Sequence, residues 1–387
     1  MGSLTPVIFT VPACLPQTDR SNSCLVKTVP IITGLGLVTP LGRSAGATWR
    51  AILDGRHIND HARLQARGDT AIPRVISLAC EATDEAVSHA AWGNQLDDVA
   101  IVACTSKGSI ESWMTRSTGS TDFGLADLSS SVARHVGALH GPRLTFSAAC
   151  ASGLHGLIRG AMMIQSGEAS RVLVIAAEAS VHPLFLASFK RLGVLPDEGE
   201  LCRPFDLNRS GFLMSEAAAA VCLEAGPSDR GIVAIDRYAM GGDATHLTGS
   251  DPDGKVLRYL LNKVIDGRGI ELVHAHGTAT IANDLVELTA LEATLPAKEQ
   301  ASLFSHKGAL GHSLGASGLV AVVLNCMAHH SGVVPGNINT VEPMPSGIVR
   351  VQQGEMRRLI SRSLVHSAGF GGPTAVVSLV RDFDSDK

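Results

Sequence analysis

The sequence predicts an α/β fold made of two similarly ordered halves. Its 387 residues exceed the size at which one hydrophobic core usually stops growing, about 250 to 300 residues. Apolar runs without polar alternation, as in strands buried on both faces, are interleaved with segments of helical periodicity. The order of these segments in the first half recurs in the second. Together the three observations indicate an internal duplication.

Three short apolar runs in the first half are predicted to be buried strands. They are residues 29–36 (VPIITGLG), 98–104 (DVAIVAC) and 171–177 (RVLVIAA). Residues 153–166 lie between the second and third runs, and their leucine, isoleucine and methionine residues approximate one apolar face of a helix. Strands and helices that alternate in this way pack as mixed α/β layers.

The second half repeats this order. The matching segments are residues 231–238 (GIVAIDRY) for the first strand, 271–276 (ELVHAH) for the second, and 374–380, which close this half as 217–223 close the other. The closest echo is the tetrapeptide ASGL, which opens an apolar helix at residues 151–154 and again at 316–319. A match of four residues alone can arise by chance. Its place in two similarly ordered halves favours duplication.

A linker candidate separates the halves. Residues 225–230 (AGPSDR) combine glycine, proline and polar residues, as loops do. We therefore expect an N-terminal extension at residues 1–28, a first half at residues 29–228 and a second half at residues 229–387. The extension has no cationic start followed by an apolar core, so it does not read as a secretory signal.

The composition limits the partners of the chain. Hydrophobic residues make up 45% and charged residues 18%, yet no stretch approaches the roughly 20 unbroken apolar residues of a membrane span. We therefore expect no membrane span, and extensive buried interface between subunits. Only 4% of residues are aromatic and the formal net charge is -4, which argues against nucleic acid as a partner.

The eight cysteines do not indicate a metal or disulfide framework. The sequence has no C-x-x-C pair and no cluster of cysteine and histidine with zinc spacing. We expect neither a metal nor a cofactor. A reducing, cytoplasmic location fits this cysteine usage.

The first candidate site residue is Cys150. It lies in SAACASG, residues 147–153, after an apolar approach and before a small-residue helix start. Small flanking residues permit a sharp turn, and a helix N-terminus favours the thiolate. A lone cysteine is more often a buried structural residue, but the other motifs of this chain favour a nucleophile.

A histidine segment follows in the second half. In residues 273–280 (VHAHGTAT), a strand ends in His276, and a glycine-containing turn presents Thr278 and Thr280. Two such hydroxyls suit an amide-bearing ligand. The alternative is a capped turn with a core histidine, a role that we assign to His274.

Two glycine-rich segments complete the set. Residues 307–318 (KGALGHSLGASG) place Lys307 and His312 on a lead into a helix, where glycine permits close backbone approach. A solvated lysine is the usual alternative, but these surroundings are too apolar for an ordinary surface helix. Residues 369–372 (GFGG) form a loop whose backbone N–H groups suit an oxyanion; a turn without function is the alternative.

Taken together, these four segments resemble the β-ketoacyl synthase family, in the branch with a Cys-His-His centre. The similarity runs from about Pro30 to Arg381. It also includes TGLGLVTPLG at residues 33–42, RPFD at 203–206 with Gly211 and Phe212, Asn283 and Asp284 with Glu287, and PGN at 335–337.

The resemblance implies a thiolase-like fold, in which two similar halves make five α/β/α/β/α layers, usually as a homodimer. It implies that Cys150 receives the growing acyl chain from a carrier-protein thioester. His276 and His312 would hydrogen-bond the malonyl thioester carbonyl and favour loss of carbon dioxide. Lys307 would orient the histidine and support the local field.

The resemblance also assigns binding roles. The backbone N–H groups of Cys150 and Phe370 would form the oxyanion hole, and Phe370 would act as a gate. Thr278 and Thr280 would bind the phosphopantetheine arm, and Phe189 would border the acyl tunnel.

Some positions depart from the family pattern. The usual Gly-Glu-Gly-Ala-Gly stretch reads SEAAA at residues 215–219, and the asparagine before the Gly-Phe-Gly-Gly loop is His366. The glutamate that fatty-acid members carry in the second-histidine helix is Ala321. This change implies that Lys307 lacks an acidic partner, and it favours polyketide-like or specialised members.

Other uses of the same fold are the alternatives. Degradative thiolases use a second cysteine near the C-terminus, and type III initiating synthases pair one histidine with an asparagine. Two histidines with Lys307 favour the elongating type. A non-condensing partner resembling a chain-length factor would lack the nucleophile, whereas Cys150 is present. An acyltransferase or decarboxylase is the remaining alternative.

The expected partners are an acyl carrier protein and a second subunit, in a homodimer or a heterodimer with a homologous chain. Acidic carrier proteins are steered by local charge, so a basic rim with Lys190, Arg191 and Arg203 is expected despite the negative total charge. Both site histidines are expected to act as neutral imidazoles. Activity that needs them as bases should therefore weaken as the pH falls towards about 6.

Overall fold

The structure is a computed structural model that describes residues 28–67, 71–94, 96–111, 124, 127–249, 251–296 and 300–381. Almost all of the expected extension at residues 1–28 lies outside the described residues. The strands and helices of the first half are β1 (Pro30–Val38), α1 (Ala45–Leu53), α2 (Arg74–Ala90), β2 (Ala100–Cys104), α3 (Asp127–Val136), β3 (Arg143–Phe146), α4 (Ser152–Gln165), β4 (Arg171–Glu178), α5 (Pro183–Arg191) and β5 (Ala217–Ala225).

The second half begins after a short loop. Its elements are β6 (Val233–Gly242), α6 (Lys255–Ile265), β7 (Leu272–His274), α7 (Ile281–Thr294), β8 (Ala301–Phe304), α8 (Lys307–Leu310), a 3₁₀ turn (Leu314–Ala316), α9 (Ser317–Ser331), β9 (Val333–Val334), β10 (Val349–Val351), β11 (Met356–Arg357), β12 (Arg362–Ala368) and β13 (Pro373–Val380).

The apolar runs form buried strands, as the sequence predicts. All residues of β1 and β2 are buried, and in β4 only the first residue is partly exposed. The structure extends the first strand to Val38 and begins the second at Ala100. Burial on both faces follows because each strand lies between two helical layers.

The repeated order of elements reappears as a repeated strand order. The first half pairs its strands as β1-β5-β4-β2-β3, and the second half as β6-β13-β12-β7-β8 with β10 added at the edge. The two sets join through β1 and β6, which pair antiparallel at Ile31 with Ala234 and Ile32 with Val233. The predicted duplication is therefore confirmed at the level of topology.

Three hydrophobic clusters show how the layers stack. The largest includes residues of α4 and α9 together with the inward faces of strands from both halves. A second lies between α2, α3 and the strands of the first half, and a third between α6, α7 and the strands of the second. The order is helix, sheet, helix, sheet, helix, which is the five-layer arrangement expected from the sequence.

Candidate active site

Cys150 lies in a strained turn just before α4. The preceding Ala149 has φ 48°, a left-handed conformation that alanine rarely adopts. The hydroxyl of Ser152 holds this turn: it accepts a hydrogen bond from the backbone N–H of Ala148 at 2.8 Å and donates to the carbonyl oxygen of Ala149 at 2.6 Å. The turn therefore presents the cysteine at the end of a buried helix.

The GFGG loop aims one backbone donor at this cysteine. The N–H groups of Gly369, Gly371 and Gly372 are bonded to backbone carbonyl oxygens at 2.8, 2.8 and 3.0 Å. The remaining N–H, that of Phe370, is near enough to the sulfur of Cys150 to lower the pKa of its thiol. A Cβ on Gly369 would lie 3.0 Å from the backbone nitrogen of Cys150, so glycine permits the loop to pack directly on the turn.

Burial controls the ionisation of Cys150. It raises the pKa of the thiol to about 11, and the positive charges of Lys307 and Lys107 offset this only in part. The thiolate that the helix N-terminus was expected to favour is therefore not the resting form. At neutral pH the sulfur carries its proton until a base removes it.

His276 is fixed through its backbone. Its N–H donates to Glu287 Oε1 at 2.7 Å, and the next N–H, of Gly277, donates to Glu287 Oε2 at 2.8 Å. The ammonium of Lys307 donates to the carbonyl oxygen of His276. A carboxylate and an ammonium thus hold the two sides of this residue, and both are buried.

The two site histidines face one another. The ring centroids of His276 and His312 are 5.5 Å apart, with the planes at 82°. The rings of Phe212 and His312 pack edge to face, with their centroids 4.9 Å apart. Burial, and then the charge of Lys307, lower the pKa of both histidines well below the ordinary 6.5, so both are neutral imidazoles at neutral pH.

Two carboxylates affect the charge of Lys307, although position 321 is alanine. The lysine is 1% exposed, and burial lowers its pKa from 10.5 to about 8. The charges of Glu287 and Asp284 act in the opposite direction and help to keep the ammonium charged. Among the described residues no carboxylate forms an ion pair with Lys307, as expected, but two buried carboxylates of α7 influence its charge from a longer distance.

The candidate residues converge on one cavity of about 320 Å³. Its lining includes Cys150, His276, His312, Thr278, Thr280 and Phe370. The hydroxyls of the two threonines are 3.0 Å apart. Because a nucleophile and two imidazoles share one partly open cavity, the arrangement suits attack on a bound carbonyl compound.

Two predicted site residues lie one layer behind the cavity wall. Phe189 is buried and packs its ring 5.7 Å from Phe212 and 6.0 Å from Phe370. It supports these two lining residues instead of lining the cavity itself. Lys307 likewise reaches the site through the backbone of His276.

Family comparisons agree with this geometry. The family described as "Beta-ketoacyl synthase, N-terminal domain" matches residues 59–227, and the one described as "Beta-ketoacyl synthase, C-terminal domain" matches residues 232–341. Together these matches span more than half of the chain. The chain belongs to the β-ketoacyl synthase family.

Curated relatives of this β-ketoacyl synthase match almost its full length. The mitochondrial 3-oxoacyl-[acyl-carrier-protein] synthase of Arabidopsis thaliana is 27% identical over 423 residues, which cover 89% of this chain and 91% of the relative. The 3-oxoacyl-[acyl-carrier-protein] synthase 2 of Synechocystis sp. is 28% identical over 403 residues, which cover 90% and 97%.

Solved structures confirm the fold. A type II PKS ketosynthase in complex with its acyl-carrier protein is similar with a TM-score of 0.82 at 21% identity, over 92% of this chain and 100% of that one. A β-ketoacyl synthase from Burkholderia phymatum gives a TM-score of 0.81 at 22% identity, over the same shares. The thiolase-like fold expected of a β-ketoacyl synthase is thus confirmed.

Some functional groups of this synthase were not assigned a role from the sequence. Glu287 and Phe212 were noted only as family motifs, and His366 only as a departure. Their contacts depend on elements far apart in the chain. The occurrence of His276, His312 and His366 in apolar segments was the signal for a shared site. In the described part of the chain, no cluster of three metal-binding side chains occurs, and no helix is long and apolar enough to span a membrane.

Proposed function

We propose that this chain is an elongating β-ketoacyl-acyl-carrier-protein synthase, in which Cys150 accepts an acyl chain and His276 and His312 direct its condensation with a malonyl group. The observation that supports the proposal most is the common cavity of these three residues. The backbone N–H of Phe370 also acts on the Cys150 thiol, whose pKa it lowers. Fatty acid and polyketide-like biosynthesis both use this reaction.

The first half-reaction loads the cysteine. The Cys150 sulfur attacks the carbonyl carbon of an acyl-carrier-protein thioester, and the N–H groups of Cys150 and Phe370 hold the oxyanion that forms. A neutral imidazole of the cavity takes the thiol proton. Collapse of the intermediate breaks the bond to the carrier, and the departing thiolate receives that proton.

The second half-reaction makes the carbon–carbon bond. His276 and His312 donate hydrogen bonds to the malonyl thioester oxygen, so that loss of carbon dioxide leaves a stabilised enolate. The enolate carbon attacks the acyl carbonyl on Cys150, the bond to the Cys150 sulfur breaks, and the released thiolate takes a proton from water to restore the resting thiol. The β-ketoacyl product remains on the carrier, and Lys307 keeps His276 oriented through its carbonyl oxygen.

The remaining site residues bind and shape the substrate. Thr278 and Thr280 present paired hydroxyls to the amide groups of the phosphopantetheine arm. Phe370 gates the cavity. Phe189 borders the acyl chain indirectly, through the two aromatic rings that it supports.

The carrier protein is proposed to approach a basic rim. Lys190 and Arg191 are exposed at the end of α5, and the next residues, Leu192 and Gly193, line the cavity. Arg203 is half-buried. If reversing the charge of all three left the salt dependence of acylation unchanged, the carrier would have to dock elsewhere.

Assembly and domain limits are proposed from the fold. We propose a dimer, with itself or with a homologous chain, and a division into halves at residues 228 and 229, after an N-terminal extension. Strand β3 ends the sheet and keeps Leu144 and Phe146 only half-buried, which supports pairing across this edge. A stable monomer in light scattering at micromolar concentration would contradict the dimer. A cytoplasmic location fits the thiol chemistry.

The alternative is a non-condensing partner or an acyltransferase or decarboxylase on the same fold. The two half-reactions distinguish these functions. Cys150→Ala should abolish loading and condensation but retain malonyl decarboxylation. His276→Ala or His312→Ala should retain loading and lose decarboxylation by about 10²- to 10⁴-fold.

The experiment measures loading by intact-protein mass spectrometry with a panel of acyl-carrier proteins, beside carbon dioxide release from malonyl-carrier protein. Acyl chains found on another cysteine would contradict the assignment of Cys150. Undiminished decarboxylation in both histidine variants would contradict the second half-reaction.

A further inference from the structure

His366 is a third buried histidine beside the site. It lies near the end of β12, which pairs in parallel with β7 so that Val365 is opposite His274. The carboxyl ends of neighbouring parallel strands meet at one edge of a sheet. His366 is therefore brought next to His276, which follows β7 in the chain.

Glu287 connects the two histidines. Its Oε1 accepts the backbone N–H of His276 at 2.7 Å and Nδ1 of His366 at 2.7 Å. Burial alone would raise the pKa of Glu287, but the charge and hydrogen bond of His366 and the two backbone donors lower it. An ionised carboxylate only accepts hydrogen bonds, so Nδ1 of His366 carries its proton.

The ring of His366 also limits the ring of His276. Their centroids are 6.0 Å apart at 71°, and the centroid of His312 lies 5.5 Å from that of His276 at 82°. The ring of His276 thus has two imidazole neighbours, while Glu287 and Lys307 hold its backbone. The face that His276 turns to the cavity is open, so the neighbouring rings help to set its orientation.

His366 stays out of the reaction cavity. It lines an adjoining pocket of about 20 Å³, which shares Asn283, Val286 and Ala368 with the cavity of about 320 Å³. The larger cavity is lined by His276 and not by His366. The described contacts of His366 with the site therefore run through Glu287 and the ring of His276.

We propose that His366 is a positioning residue: through Glu287 and its own ring, it sets the orientation in which His276 meets the malonyl thioester. The inference rests on the proposed function and adds a residue to it. Loading of Cys150 uses the Phe370 N–H and one cavity imidazole as base, and His312 supplies that imidazole when His276 is displaced. Loss of His366 should therefore weaken decarboxylation far more than acylation.

The decisive comparison uses three variants of the full chain. His366→Leu removes the donor to Glu287, and His366→Asn restores a side-chain N–H donor in a smaller residue. His329→Leu is the matched control, because His329 is equally buried and bonds Ser363 of the same strand at 2.7 Å, outside the cavity. Carbon dioxide release from malonyl-carrier protein and acylation of Cys150 are measured for each.

We expect His366→Leu to lose decarboxylation by about 10- to 100-fold, the loss expected when a supporting residue leaves a catalytic group misplaced, with acylation within about threefold of wild type. His366→Asn should recover most of that loss. His329→Leu should change neither rate. A role in folding alone would lower both half-reactions together in His366→Leu, and that result would overturn the proposal.

A crystal structure of His366→Leu measures the position directly. The His276 ring should be rotated or doubly occupied relative to wild type, and an unmoved ring with decarboxylation within about twofold would overturn the inference. If His366→Leu does not fold, His366→Met, which also lacks a donor but fills more of the histidine volume, gives the same two measurements. Should the wild-type chain release no carbon dioxide, the proposed function fails, and the ring position in the crystal still decides the positioning claim.

Discussion

Gly153 of α4 and Gly318 of α9 each pack against the backbone of the leucine that follows the other glycine. A Cβ on Gly153 would lie 2.8 Å from the nitrogen of Leu319, and a Cβ on Gly318 would lie 3.0 Å from the nitrogen of Leu154. Reciprocal contacts of this kind arise where two equivalent units meet across a two-fold axis. The repeated ASGL segments are therefore a place where the two halves meet through equivalent contacts.

The first prediction concerns this contact. Gly153→Ala should lower the free energy of unfolding by about 1 to 3 kcal/mol, because the added methyl group meets backbone that cannot move aside alone. Gly46→Ala in α1 is the control, since no atom lies within 4 Å of a Cβ there. Urea unfolding should show the control equal to wild type or slightly more stable; equal midpoints for both variants would contradict the prediction.

The second prediction follows from the raised pKa of Cys150. With a pKa of about 11, the thiolate fraction grows about tenfold for each pH unit between about pH 7 and 9. Alkylation of Cys150 by iodoacetamide, followed by peptide mass spectrometry, should rise in proportion. The half-buried Cys80 is an internal comparison. A plateau below about pH 8 would mean that the helix N-terminus or a base outweighs burial.

The third prediction corrects the expected acid sensitivity. Burial and the charge of Lys307 hold the pKa of His276 and His312 well below 6.5, so both stay neutral at about pH 6. Malonyl decarboxylation by the Cys150→Ala variant isolates them from the thiol. Its rate should change less than about twofold between about pH 7.5 and 6, and a tenfold fall centred near pH 6.5 would show ordinary histidines.

The fourth prediction concerns the buried charge of Lys307. Its pKa is about 8 in the folded chain against 10.5 ordinarily, so between these values the unfolded chain binds more protons than the folded chain. The contribution of Lys307 to the free energy of unfolding should therefore rise with pH across this window, by up to about 3 kcal/mol. Lys307→Met lacks this contribution.

Urea unfolding of both proteins between about pH 7 and 10 measures the difference directly. Groups other than Lys307 titrate in both chains and cancel in the comparison. Parallel stability curves would place the pKa of Lys307 near its ordinary value, and would mean that Glu287 and Asp284 compensate fully for its burial.

The sequence predicted most of the architecture because local patterns carry it. The apolar runs at 29–36 and 171–177 could be buried only between two layers, and the structure places β1 and β4 there. The nucleophile turn was likewise visible, since small residues around Cys150 permit the left-handed φ of Ala149. Such features depend on neighbours in the chain.

Features that depend on distant neighbours were not predictable in the same way. The ionisation of Cys150 is decided by its burial. An argument from the helix N-terminus considers only the one helix that follows the cysteine. His366 gains its contacts because β12 pairs with β7, a strand far earlier in the chain. At the start of this pairing, Arg362 bonds Glu271, which lies 91 residues before it. Phe189, expected at the acyl tunnel, contacts Phe212 and Phe370 from other segments, and its role at the tunnel stays a prediction.

The order in which the ribosome makes this chain has a consequence for its chemistry. Cys150 emerges with the first half, whereas the Phe370 N–H that faces its sulfur, and the Ser367 hydroxyl that bonds its carbonyl oxygen at 3.0 Å, come from the final β12 and β13 hairpin. A nascent or C-terminally truncated polypeptide thus carries the nucleophile without the groups that complete its surroundings. The reaction centre is therefore complete only when residues 366–370 have folded onto the first half.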